Sequence, residues 1–180
     1  SFWRAAYAVD LEAMEMLMSY GSDPKVATKR MADRRRPAWD GDAKADQSGL
    51  PVVPIGGPGV YPIHAASGVG YGQGFAVNSH RHVPGGWLDA MRYLVEELGV
   101  DVNARDYEGY TALHHAASRG DTEMIRYLVE KGADVTVVSR EGQTTADMAN
   151  GPYQRTQPYP EAIALLESLG SVNNHNCQSC

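Results

Sequence analysis

Cysteine is nearly absent from these 180 residues: the two present, Cys177 and Cys180, stand in a polar tail, so neither a disulfide nor a thiolate metal site is available to hold the body together. With no thiol in the body the compartment is weakly marked, although an exposed terminal pair leans toward an oxidising, extracytoplasmic setting. Long apolar runs are lacking too. Nothing approaches the length needed to span a bilayer, so a soluble chain with no membrane span is expected. An excess of basic residues is also missing: 16 Lys and Arg against 22 Asp and Glu leave a net charge of -6. That sign argues against a nucleic-acid partner, which would be held by a clustered positive face. No Ser/His/Asp or paired-carboxylate constellation is suggested by spacing, and an enzyme is not expected. The glycines between 68 and 86 do not make a phosphate loop, because no Gly-Lys-Ser/Thr follows and Phe75 stands where a third glycine would belong. No secretory signal is visible. Ser1 falls in the middle of a first helix, so the sequence is expected to begin inside a longer protein.

What is present is one unit, repeated. Residues 106–134 read DYEGYTALHHAASRGDTEMIRYLVEKGAD. The first six are turn chemistry, with Gly109 placed for a positive φ and Thr111 placed to cap a helix. Small residues around Ala116 and Ala117 make that helix thin, and it should end at Gly120. Asp121 gives a second capping signal, and Met124, Ile125, Leu128 and Val129 form the stripe of an amphipathic helix stopped by Gly132. Such a helix pair cannot bury its stripe alone and needs copies of itself. Gly109 and Thr111 recur as Gly142 and Thr144, and Asp101 recurs as Asp134, each a step of 33 residues. Residues 2–23 lie over residues 113–134 at a constant offset of 111.

This pattern resembles an ankyrin repeat, with the turn, the capping Thr, Leu-His, the paired Ala and the closing Gly-Ala-Asp all in place. The likeness covers about two thirds of the chain. Ala112 departs from the family's usual proline, which Pro62 supplies in the preceding unit. The resemblance implies an all-α fold, an ankyrin-repeat solenoid of about four helix-turn-helix units with long loop insertions, and a structural role for His64 and His114 in bridging neighbouring units. Units are expected at about 1–27, 59–105, 106–138 and 139–172, with insertions at 28–58, 68–86 and 151–160 and a polar tail at 173–180. In unit four Ala146-Asp147 replaces Leu-His, which reads as a cap closing the stack.

The resemblance further implies a protein-binding scaffold whose partner, another protein, lies in the groove between turn tips and first helices. Carried to matching positions, that points to Tyr107, Glu108, Tyr110, Ser118 and Arg119 in unit three and Arg140, Glu141 and Gln143 in unit four, with Tyr107 and Tyr110 as anchors. The insertions supply further candidates: Trp39 beside an arginine-rich run, and Tyr71 in the glycine-rich loop. No cofactor is expected from the repeats. His80 and His82 have a spacing at which two imidazoles can share a metal. Cys177 and Cys180, preceded by His175, leave three readings open: a disulfide or inert thiol pair, a zinc site, or a haem-attachment motif cut short, the last two making the chain an accessory module of a redox or metal protein.

Overall fold

The computed structural model describes residues 1–32, 46–71, 82–152 and 157–177. Each turn-and-cap signal opens a helix, and the helices come in pairs. They are α1 (Phe2–Tyr7) and α2 (Leu11–Ser19), α3 (Pro62–Ala66) and α4 (Trp87–Arg92), α5 (Ala112–Ser118) and α6 (Thr122–Glu130), and α7 (Thr145–Ala149) and α8 (Pro160–Ser168). Asp10 and Asp121 cap the second helices of units one and three by accepting the backbone N–H of Ala13 and Met124. Among the described residues no strand forms, and a single antiparallel bridge joins Lys29 to Pro58.

Helices shorter than three turns are marginal by themselves, so packing decides their stability. The first helices α1, α3, α5 and α7 stack in one row, and each second helix lies against its own partner and against its neighbour in the next unit. Ala5, Ala6, Ala65, Ala66, Ala116, Ala117 and Ala149 line the inner row, where the lack of bulk lets backbones approach. The larger side chains between rows, Met14, Ile63, Met91, Leu94, Leu113, Ile125, Leu128 and Leu166, are fully buried. Each contributes on the order of 2 kcal/mol by leaving water. In unit one Phe2, Ala5, Ala6 and Met14 are buried as the pattern implies, while Leu17 and Met18 are only half-buried at the rim.

Apolar periodicity predicts one continuous helix from Trp87 through Val95. The structure instead widens into a π-helical segment at Tyr93–Glu97. Tyr93 and Leu94 face the core there, as the matching pair Tyr127 and Leu128 do from the regular α-helix α6.

Candidate functional site

The turns between units project from one edge of the stack. Asp106 builds the turn of unit three: its Oδ1 accepts the N–H groups of Glu108 and Tyr110, each at 2.9 Å. Ser139, 33 residues on, does the same work in unit four, where its hydroxyl oxygen accepts the Gln143 N–H at 3.1 Å. Gly109 and Gly142 turn the chain at φ of 83° and 75°. Successive tips are joined edge to edge: the Gly59 carbonyl accepts from Tyr107 N–H at 3.0 Å, and the Glu108 carbonyl accepts from Arg140 N–H at 3.0 Å. The result is a continuous row of tips.

The first insertion belongs to this row. Its two ends pair as a stem, Thr28 N–H to Val60 O at 2.9 Å and Arg30 N–H to Gly57 O at 2.8 Å. Residues 46–51 then cross the tips to unit four. Gln47 N–H donates to Arg140 O at 3.2 Å, and the Arg140 guanidinium donates to Leu50 O, Pro51 O and Tyr107 O and ion-pairs with Asp46. Burial alone would raise the pKa of the Asp46 carboxylate, but its bonds from Ser48 and Arg140 together outweigh that and hold it below the usual range.

Behind the tips lies a buried polar layer. Nε2–H of His64 donates to Ala104 O at 2.9 Å while Nδ1 accepts Tyr61 N–H at 3.2 Å. His114 repeats the arrangement, with Nε2 to Gln143 O at 3.3 Å and Nδ1 accepting Thr111 N–H at 3.2 Å. Both rings link one unit to the turn of the next, as the resemblance implies. With one nitrogen donating and the other accepting, each ring is fixed as the neutral tautomer. Burial lowers the pKa of His64 to about 4 and of His114 to about 3. His115 Nε2–H donates to Asp106 Oδ2 at 3.2 Å. Burial alone would raise the Asp106 pKa, but this bond and the nearby imidazoles bring it below the ordinary value.

In unit four Asp147 takes the histidine's place and reverses the polarity of the link. Its Oδ2 accepts Thr144 N–H at 3.0 Å, and its Oδ1 accepts Asn174 N–H at 2.7 Å and Asn176 N–H at 3.3 Å. A carboxylate that only accepts thus binds the N–H groups of the tail where a histidine would reach for a carbonyl.

The residues expected to line the groove divide into two sets. Tyr107 is half-buried with the Arg30 guanidinium 5.9 Å from its ring centre, Glu108 is exposed, and Arg140 and Glu141 are half-buried, all on the tips. The other four are committed inside the body. Tyr110 is 5% exposed, its hydroxyl donating to Gln143 Oε1 and its ring packed on His114 and His115. Gln143 also donates to Asn176 O, and Ser118 donates to His115 O. The Arg119 side chain is 6% exposed, ion-paired to Asp121 and stacked on Trp87 with its carbon 3.5 Å from the ring centre. Tyr110 therefore offers no open ring surface, because the polar layer uses both its face and its hydroxyl.

Tyr71 hydrogen-bonds Tyr159 beside Arg119, so the glycine-rich loop meets the 151–160 insertion. Burial and that neighbour push the Tyr159 phenol up to about 12. Trp39, His80 and Cys180 lie outside the described residues. The His82 ring lies 5.2 Å from that of Trp87, the His175 ring faces the Asn150 amide at 3.4 Å, and Cys177 is disulfide-bonded. Among the described residues no group of three or more His, Cys, Asp or Glu is placed to hold a metal, and no helix is long and apolar enough to cross a membrane. Sequence reasoning passed over Asp46 and Gln47, which carry no local signal, and it read Asp147 only as a polar substitution in a closing unit.

Residues 79–129 match the family model described as ankyrin repeats (many copies). Alpha-latrocrustotoxin-Lt1a of Latrodectus tredecimguttatus is 41% identical over 85 residues, 47% of this chain and 5% of that protein. Protein phosphatase 1 regulatory subunit 12A of Rattus norvegicus is 38% identical over 89 residues, 49% of this chain and 8% of that protein. Protein phosphatase 1 regulatory subunit 27 of Homo sapiens is 35% identical over 75 residues, 42% of this chain and 48% of that protein. The matched stretch spans less than a tenth of the first two relatives and about half of the third.

Proposed function

The chain is an ankyrin-repeat protein, and from that premise we propose that it is a non-catalytic scaffold binding a partner protein across its row of turn tips, with the first insertion sharing the contact. The observation that carries this reading is the continuous row itself. Backbone pairing from Gly59 to Tyr107 and from Glu108 to Arg140 sets equivalent positions of successive units side by side, a rigid surface able to read an extended partner. Rigidity matters because a surface ordered before binding spends less of its contact energy on ordering. Two relatives are named as regulatory subunits of a phosphatase, which accords with a binding role.

Tyr107, Glu108, Arg140 and Glu141 are the tip residues placed for contact. Tyr107 offers the largest ring area, and the guanidinium of Arg30 steadies it. The test is selection of peptides from a displayed library on the immobilised chain, followed by affinity measurement on variants. Tyr107→Ala and Glu141→Lys should each weaken the selected peptides at least about tenfold, the loss expected of a contact at the centre of an interface. Arg126→Ala, on the exposed side of α6, should leave affinity unchanged. Peptides sensitive to Arg126 and indifferent to the tips would refute the reading.

A further inference from the structure

Residues 46–51 already lie where a partner would. They form a tight loop on the tips, bent at Gln47 and Ser48 with Ser48 N–H donating to Asp46 Oδ1 and Gly49 at a φ of 69°. They pair through the main chain with Arg140 O, and place one carboxylate and two carbonyls on a single guanidinium. Gln47 spreads its amide over the α-carbon of Gly142, so closely that a Cβ there would stand 2.5 Å from it. An arginine fork donating in several directions suits such a chain, since its rigid plane serves a carboxylate and neighbouring carbonyls at once.

The way this strap is held differs from the way everything else is held. No side chain from 46 to 58 belongs to the hydrophobic core, and Asp46, Gln47, Gly49, Pro51 and Val52 are exposed. Its attachment is one partly exposed ion pair and a few hydrogen bonds at the rim, interactions for which water competes and which salt screens. The stem of the same insertion is firmer: its two legs are joined by main-chain hydrogen bonds, and the indole of Trp3 donates to Val60 O at 3.0 Å. The strap can therefore lift while the stem stays closed, and its hold on the tips comes largely from being tethered.

We propose that the tips around Arg140 form a receptor for a bent peptide segment carrying a carboxylate, and that residues 46–51 are the chain's own stand-in for that segment, displaced when the partner binds while the stem of the insertion stays beside the tips and shares the contact. This rests on the reading of the tips as the partner surface. The strap also defines the ligand: a carboxylate to meet Arg140, a following N–H to meet Arg140 O, and carbonyls four and five residues beyond the carboxylate.

The experiment uses a fluorescein-labelled peptide of the sequence of residues 46–53 and fluorescence anisotropy on the full chain. The released variant is Asp46→Lys with Gln47→Pro, which repels the guanidinium and removes the pairing N–H. Asp46→Lys alone serves as a milder second variant, and circular dichroism and thermal melting establish that both fold. The labelled peptide should bind the released chain at least about tenfold more tightly than the unmodified chain, since it no longer competes with a tethered copy. Arg140→Ala in the released background should abolish binding, and a peptide with Asn for its leading Asp should bind several-fold more weakly. Equal binding to released and unmodified chains, still lost with Arg140→Ala, would overturn the stand-in and leave the tips as a partner surface. No binding to a folded released chain would overturn the proposed ligand chemistry, while the library selection described above judges the tip surface separately.

Discussion

Acid should unfold this protein through two histidines. His64 and His114 are fully buried as neutral rings, and burial holds their pKa values at about 4 and about 3, against 6.5 for the free side chain. Protonating Nδ1 would set a new N–H against the N–H of Tyr61 or Thr111, which that nitrogen now accepts. The unfolded chain therefore binds two protons that the folded chain refuses. Stability is fully present above the unfolded pKa of 6.5 and is lost as pH falls toward the folded values, the sign expected when the unfolded state holds more protons. Each histidine costs about 1.4 kcal/mol per pH unit in that window, so the pair gives a slope near 2.7 kcal/mol per unit between roughly pH 6 and pH 4. Over two units the loss of about 5 kcal/mol rivals the whole stability of an ordinary domain. Asp106, whose folded pKa lies below its ordinary value, adds to the loss only at pH values near and below the ordinary carboxylate range. Urea denaturation followed by far-UV circular dichroism at half-unit steps from pH 7.5 to 4 measures the slope. His114→Gln should reduce it by about half, because one of the two refused protons is gone. A stability that stays flat from pH 6.5 to 4.5, or a slope unaffected by His114→Gln in a folded variant, would refute the argument.

Asp147→Ala leaves the N–H groups of Thr144, Asn174 and Asn176 without their acceptor. It should cost about 3 kcal/mol and lower Tm by roughly 5–10 °C, with hydrogen exchange showing lost protection at Asn174 and Asn176. Gly142→Ala and Gly132→Ala both force a side chain into the left-handed region and should each cost about 1–2 kcal/mol by urea denaturation. Gly142→Ala should also speed exchange of the Gln47 amide, because its Cβ meets the Gln47 side chain, whereas nothing lies within 4 Å of a Cβ at Gly132. Leu128→Ala removes a fully buried side chain of α6 and should cost about 2–5 kcal/mol, read as a lower urea midpoint at unchanged m value.

Most of the helical frame was legible because its signals are local. Thr111, Asp121 and Gly132 each act within a few residues of themselves, and the 33-residue step repeats those signals often enough to set register. The π segment at Tyr93–Glu97 was not legible, since an α-helical turn and a π turn share the same apolar residues and only packing distinguishes them. The candidate contacts were half legible. Of the residues that position within the repeat singled out, Tyr107, Glu108, Arg140 and Glu141 stand on the tips, while Tyr110 and Arg119, expected on an open wall, are buried. Exposure depends on what arrives from elsewhere, and here Gln143 and the two histidines closed over Tyr110 while Trp87 and Asp121 closed over Arg119.

The sequence by itself determined the all-α class, the repeating unit, the caps and the two histidines that join units, because each follows from neighbours a few residues apart or from a period that multiplies them. Tertiary structure alone decided where the insertions and the tail come to rest. Asp46 meets Arg140 across 94 residues, Asp147 gathers the tail from 27 and 29 residues away, and Tyr71 finds Tyr159. No local propensity encodes such meetings. They are settled by which polar groups remain unpaired once the helices have stacked, and the strap and the tail supply partners to those groups.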